Sequence, residues 1–75
     1  MIMVSELDFK KYVAVQFSGM YNMITEARWA MDMIEMDIDT YCKIQDNYKE
    51  LVEKYPEAYE EGKKIGQTMS SQIYG

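Results

Sequence analysis

Residues 39–56 read DTYCKIQDNYKELVEKYP and carry the clearest helical periodicity in the chain. Apolar residues recur there at intervals of three and four, at Tyr41, Ile44, Tyr48, Leu51 and Tyr55. At about 100° per residue these side chains fall within one arc of roughly 100°, which is the pattern of an amphipathic helix. Asp39 is a favourable N-cap, and the proline at 56 ends the segment. We therefore predict a helix over 39–55.

The N-terminal part of the chain contains a second helical signal. Ser5 is followed three residues later by Asp8, which resembles a capping box with Asp in place of Glu. Gly19 suits the left-handed residue that follows a helix. The sequence therefore predicts a first helix over 5–18.

Two more helices complete the prediction. One is expected over about 22–36, with Asn22 or Thr25 as its N-cap, and one over about 56–72, with proline at its first position. No run alternates polar and apolar residues around a tight hairpin turn, so strands are not expected. With 75 residues, we predict one all-α domain, 1–75, folded as a small bundle of three to four helices.

A core of this size needs further stabilisation. One such core rarely contributes more than roughly 3–5 kcal/mol of net stability. The chain has one cysteine, Cys42, and no histidine. Neither an internal disulfide nor the usual zinc ligand sets are therefore available. We expect self-association instead, in the form of a homodimer.

Most residue combinations that support catalysis are missing from the sequence. It has no His, hence no Ser-His or Cys-His pair, and no glycine-rich phosphate loop. We therefore predict no catalytic residue, no cofactor and no metal site. A net charge of −5 with a single arginine disfavours direct nucleic-acid binding. Neither a signal peptide nor an apolar run long enough for a membrane is visible, so a cytoplasmic location is expected.

The expected second helix is apolar on two opposite sides. One side, projected at about 100° per residue, consists of Met23, Ala27, Ala30, Met31 and Ile34. The other consists of Trp29, Met33 and Met36. A helix that is apolar on both sides must be covered on both sides. Either the C-terminal helix covers the second side, or Trp29, Met33 and Met36 bind a partner protein or a second copy of the chain.

The expected C-terminal helix has a ridge of small residues at every fourth position. The ridge consists of Ala58, Gly62, Gly66 and Ser70, flanked by Ile65, Met69 and Ile73. Glycine inside a helix costs roughly 1 kcal/mol relative to alanine, and a row of small residues lets a second backbone approach closely. We expect these residues to form a close crossing that serves as the oligomer interface. The alternative is a frayed tail with loosely placed glycines.

Two short motifs resemble small uncharacterised proteins of tailed bacteriophages. The first is SGMYNMI at 18–24, in a family that often has a Ser-Gly-x-x-Asn-Met turn between helices. The second is the spacing Tyr41-x6-Tyr48-x2-Leu51-x3-Tyr55. The resemblance covers about half the chain, 18–55, and brings no site residues with it. It implies a context in which small acidic proteins bind and inhibit host proteins, including CRISPR nucleases.

Three functions follow as hypotheses. The first is a non-enzymatic phage-type protein that inhibits a host protein, such as a defence nuclease, in the manner of an anti-CRISPR protein. The second is an oligomeric sponge for a signalling nucleotide, whose available cations are Lys10, Lys11, Lys63 and Lys64. The scarcity of arginine disfavours it, because phosphate recognition favours the guanidinium fork. The third is a structural or assembly protein without a host target.

Overall fold

The computed structural model describes residues 4–74, and the side chains of residues 4–70. Within that range the chain forms helices and no strand, so the all-α prediction is confirmed. The helices are α1 (Glu6–Ser18), α2 (Ala27–Met33), α3 (Ile38–Asp46), α4 (Tyr48–Lys54) and α5 (Pro56–Tyr74). These are five helices where three to four were expected. No helix in the described range is both long and apolar enough to cross a membrane.

Helix α1 begins and ends where the sequence predicts. The backbone N–H of Asp8 donates to the Ser5 hydroxyl at 3.1 Å, which caps the helix. Gly19 follows the last turn with a φ of 72°, a conformation that glycine adopts at little cost. Opposite faces of α1 are enclosed, because Val13 and Val15, two residues apart and on opposite sides of the helix, are both buried. Helix α1 is therefore the central helix of the fold.

The second helix is shorter than the predicted 22–36. The side-chain oxygen of Asn22 accepts hydrogen bonds from the backbone N–H groups of Ile24 and Thr25, at 2.9 and 3.0 Å. These bonds hold 23–26 in a turn. Bonds from the residues two and three positions ahead are the N-cap pattern, and the backbone N–H of Glu26 bonds to the Asn22 carbonyl at 2.9 Å. Asn22 therefore caps a single turn, as the sequence predicts, but the continuous helix α2 begins only at Ala27.

Helix α2 ends in a Schellman motif centred on Glu35. The backbone N–H of Glu35 bonds to the carbonyl of Asp32, and that of Met36 bonds to the carbonyl of Met31, at 3.3 and 3.0 Å. Glu35 has a φ of 51°, in the left-handed region where a residue with a Cβ is strained. The chain reverses at this residue, and Met36 turns back to pack against the core.

The stretch predicted as one helix over 39–55 forms two helices on a shared face. Asn47 interrupts it with φ −120° and ψ 24°, and its side-chain amide donates to the Lys43 carbonyl at 2.9 Å. Helix α4 follows directly, so Ile44 and Leu51 remain fully buried as the periodicity predicts. The N-cap of α3 is Asp37 rather than the expected Asp39.

Asp37 caps α3 by accepting hydrogen bonds from Thr40, three residues later in the chain. Its carboxylate accepts from the backbone N–H of Thr40 at 3.3 Å and from the Thr40 hydroxyl at 2.7 Å. The Thr40 hydroxyl lowers the pKa of Asp37 below its usual value. The N-cap therefore lies two residues before the predicted one, and α3 begins at Ile38, one residue before the predicted start.

Helices α1 and α5 make the principal contact of the fold. A Cβ added at Gly62 would lie 2.8 Å from Val13 Cβ and 2.9 Å from the Lys10 carbonyl oxygen. One added at Gly66 would collide with the carbonyl oxygen of Ala14. These distances are too short for any side chain. The two glycines therefore let the backbones of α1 and α5 touch.

The ridge on α5 thus forms a close crossing, but within one chain. Gly62 and Gly66 are buried against α1 and Ala58 is buried in the core, so they are not available as the interface between copies that we expected. Ser70 and Met69 are half-buried and Ile65 is exposed. The side chain of Ile73 lies outside the described residues. A symmetric copy cannot occupy a surface that α1 already covers.

We expect Gly66→Ala to lower the free energy of unfolding by about 1–2 kcal/mol. Alanine raises helix propensity by roughly 1 kcal/mol. Overpacking costs about 1–3 kcal/mol, and we expect the upper part of that range, about 2–3 kcal/mol, because the colliding atom belongs to the backbone of α1. Chemical denaturation followed by circular dichroism measures the difference. Gln67→Ala, at the next and exposed position of α5, is the control and should change stability by less than about 0.5 kcal/mol. A Gly66→Ala protein as stable as the parent would contradict the close crossing.

Candidate functional site

Helix α2 is covered on one side and open on the other. Ala30 is fully buried, and three more residues of that side pack partly against the core, namely Ala27, Met31 and Ile34. On the opposite side Trp29 is 56% exposed and Met33 is 41% exposed. These two residues are four apart and therefore adjacent on the helix surface. We call this pair the α2 stripe.

The structure brings together two of the three residues predicted for partner binding. Trp29 and Met33 share the exposed stripe, whereas Met36 lies beyond the reversal at Glu35 and packs partly against the core. The prediction that Met36 extends the stripe is therefore wrong. Helix α5 does not seal Trp29 and Met33, so the alternative of cover by the C-terminal helix does not hold for them.

Charged residues border the α2 stripe along one edge. Arg28 and Asp32 are exposed and lie four residues apart on the same flank of the helix. The stripe thus has an apolar centre with one basic and one acidic group beside it. That composition is typical of a protein-binding surface, in which aromatic residues and methionine form the centre and polar residues the rim.

A groove, separate from the α2 stripe, lies between α1, the turn that precedes α2, and the α3–α4 segment. It is an open groove with a cavity of about 410 Å³. Its lining consists of Tyr12, Gln16, Met23, Ile24, Gln45 and Tyr48. Its size falls in the lower part of the range of small-molecule sites, roughly 300–1,000 Å³.

Side-chain hydrogen bonds hold the walls of the groove in place. The Tyr41 hydroxyl and the Gln45 amide both donate to the backbone carbonyl of Met23, at 2.6 and 3.0 Å. These bonds fix the turn before α2 onto α3. On the opposite wall the Tyr48 hydroxyl donates to Gln16 Oε1 at 2.6 Å, which joins α4 to α1.

The phenols around the groove are uncharged at neutral pH. Burial raises the pKa of Tyr41 to about 12 and that of Tyr48 to about 12. Burial also raises the pKa of Tyr12, and the Gln45 amide beside it opposes part of that rise. The rings of Tyr12 and Tyr48 lie 6.1 Å apart between centroids and present aromatic surface to the groove. The lining residues are therefore all neutral.

Two of the four lysines expected to serve a nucleotide sponge are engaged elsewhere. The Lys10 ammonium lies 2.9 Å from the Glu61 carboxylate and joins α1 to α5. The Lys63 ammonium lies 5.7 and 5.2 Å from the ring centroids of Phe17 and Tyr59, a cation–π geometry. The groove lining includes no cation. Neither feature favours an anionic ligand.

The remaining chemically distinctive residue is Cys42. Its thiol follows the buried Tyr41 on α3 and is exposed. Among the described residues, no group of three or more Cys, Asp and Glu is placed so that it could hold a metal ion.

Sequence reasoning did not identify the groove. Gln16 and Gln45 read as solvent-facing positions of two separate helices, and Tyr12 and Tyr48 read as core. The sequence did contain one indication of the groove: on both helices a glutamine lies next to the apolar face. Only the packing of α1 against α3 and α4 places the two amides at one groove.

We expect stability to decline between about pH 10 and about pH 12 because Tyr41 and Tyr48 titrate. Their pKa values near 12 in the folded state exceed the ordinary value of 10.0. The unfolded state therefore loses these protons first, so the stabilisation is complete below pH 10 and is lost as the pH rises through the folded pKa. Denaturant unfolding at a series of pH values measures the slope of the free energy of unfolding against pH, and phenolate absorbance follows the titration of the tyrosines. Tyr48→Phe should flatten it and the control Tyr21→Phe should not; equal slopes in all three proteins would count against the assignment.

Comparison with known proteins gives no relative. No family model, no curated protein and no solved structure matches the chain. The resemblance to bacteriophage proteins over 18–55 therefore stays a prediction, and the α2 stripe and the groove are the observations from which a function is inferred.

Proposed function

We propose that the chain is a non-enzymatic binding protein that docks on a partner protein through the α2 stripe. The observation that carries the proposal is the exposure of Trp29 and Met33 on one side of a helix whose other side is sealed against the core. Covering a large apolar side chain contributes roughly 1.5–3 kcal/mol. Tryptophan is also among the residues most enriched in binding hot spots.

The charge of the chain supports a partner with a basic rim. The net charge is −5, and such a field accelerates association with a positively charged surface. The centre of the docking surface is apolar, so the matching site on the partner is an apolar pocket that accepts an indole ring. Charges around that pocket would set orientation and rate more than affinity.

The narrower form of the proposal concerns what docking achieves. The resemblance over 18–55 supports a phage-type inhibitor that acts in the host cytoplasm on a host protein, such as a defence nuclease. Inhibition would follow from stoichiometric occupation of the partner surface. A structural or assembly protein would use the same stripe without blocking an activity. The nucleotide sponge is not favoured, because the groove lining has no cation.

A second copy of the chain is another candidate to cover the α2 stripe. Two α2 helices that pair antiparallel about a two-fold axis bring the same flank of each copy together. Arg28 of one copy then faces Asp32 of the other, and the reverse, while Trp29 lies against the partner's Met33. The stripe is thus self-complementary in charge and in shape. This arrangement is the form in which we propose the homodimer.

We expect Trp29→Ala to weaken partner binding by at least about thirtyfold, the equivalent of about 2 kcal/mol for a hot-spot residue. A photo-crosslinking residue at position 29 identifies the partner in bacterial cells, and titration calorimetry with the purified partner measures affinity. The matched control is Leu7→Ala, because Leu7 on α1 is also 56% exposed. Partner binding that is equally strong in Trp29→Ala and in the parent would sink the assignment of the stripe. For an inhibitor, the partner's activity also falls in proportion to added protein up to one equivalent.

The homodimer is tested by mass in solution. We expect a dimer at micromolar concentration that becomes a monomer in Trp29→Ala and in Arg28→Asp, since the latter places two acidic groups face to face. The double variant Arg28→Asp with Asp32→Arg should restore the dimer, because it exchanges the charges without removing them. Light scattering coupled to size exclusion reports the mass. A monomeric parent protein leaves the stripe free for a different partner and excludes this second candidate.

A further inference from the structure

The groove between α1, the turn before α2, and α3–α4 has hydrogen-bonding capacity that the fold does not use. Gln16 accepts from the Tyr48 hydroxyl, and the bonds given for the described residues leave its amide nitrogen without an acceptor. Gln45 donates to the Met23 carbonyl, and within the same range its amide oxygen accepts from no donor. The groove therefore presents one unused donor and one unused acceptor.

The rest of the lining is aromatic or aliphatic. The Tyr12 and Tyr48 rings lie at a centroid distance of 6.1 Å on one side. Met23 and Ile24 line another side, and Ile24 is 81% exposed at the rim. Apolar walls with a few fixed polar groups are the composition of small-molecule sites.

Among the residues that the structure describes, none of those lining the groove is charged. A charged ligand would lose its hydration there without gaining an ion pair, which is costly in a partly buried site. An uncharged ring loses little hydration and gains contact with the Tyr48 ring. The unused amide groups select rings whose edge has both an acceptor and a donor.

We propose that this groove is a binding site for an uncharged planar heteroaromatic molecule with a donor–acceptor edge, the chemical class of nucleobases and nucleosides. The ring lies against Tyr48, whose ring is half-buried and tilted by 59° from that of the buried Tyr12. Its edge bonds to the Gln16 amide nitrogen and the Gln45 amide oxygen. The site belongs to a single chain and is separate from the α2 stripe. It goes beyond the proposed function, because a docking protein does not require it.

The test uses the full chain and two uncharged probes, adenosine and inosine. Two-dimensional nitrogen–proton spectra follow the side-chain amide signals of Gln16 and Gln45 during titration. We expect saturable shifts at these two residues, with a dissociation constant below about 1 mM. Adenosine monophosphate should bind at least about tenfold more weakly, because its phosphate adds charge to an acidic protein. Absence of saturable shifts with both nucleosides, or stronger binding of the monophosphate, would overturn the proposal.

Variants assign the binding to the groove. Gln45→Met keeps the length of the side chain and removes its hydrogen-bonding groups, so nucleoside affinity should fall by about tenfold. Gln67→Met is the matched control on the exposed side of α5 and should bind as the parent does. If Gln45→Met and Gln67→Met bind equally, the amide contact is refuted. Trp29→Ala lies outside the groove and should lose partner docking while it retains nucleoside binding, so the failure of either function is seen separately.

Discussion

The contact between the backbones of α1 and α5 is the constraint on which the other contacts depend. Gly62 and Gly66 allow α1 to approach until its carbonyl groups meet the α5 backbone, and no larger residue fits at either position. Because α5 covers the face of α1 that carries Val13, helices α3 and α4 pack elsewhere on α1, where Tyr41 meets Tyr12 and Tyr48 meets Phe9. The short α2 is left at the edge of this core. One of its sides is therefore sealed, and the other is open.

The features of the fold that the sequence predicted are those set by short-range physics. The cap at Ser5 and the left-handed Gly19 depend on residues within one turn, and the buried face of 39–55 depends on spacing alone. The breaks were not predictable in the same way. At Asn47 the side-chain amide donates to the Lys43 carbonyl and so competes with the helical hydrogen bonds, and the helix propensities of ordinary residues differ by less than about 1 kcal/mol. Amino-acid composition does not decide between a continuous helix and a broken one when the two are so close in free energy.

The candidate sites also differ in whether short-range patterns in the sequence determine them. Trp29 and Met33 were predictable because they lie one turn apart on one helix. The position of Met36 was not predictable, because the chain reverses at Glu35. The left-handed conformation costs a residue with a Cβ roughly 1–2 kcal/mol. A glutamate, unlike a glycine, therefore does not indicate a turn in the sequence. The groove could not be found from sequence, since its defining bonds join residues 22 and 32 positions apart. Such contacts exist only after α1, α3 and α4 have packed together.

The way in which α2 is anchored bears on how its stripe can bind. Before the helix, the Met23 carbonyl is held by two side-chain hydrogen bonds from α3. Within the helix, Ala30 is sealed in the core. After it, the Schellman bonds at Glu35 and the packing of Met36 fix the exit. A seven-residue helix would not be stable alone, so these anchors supply its order. Because that order exists before any partner arrives, the proposed docking on Trp29 and Met33 would avoid most of the entropy cost of arranging them.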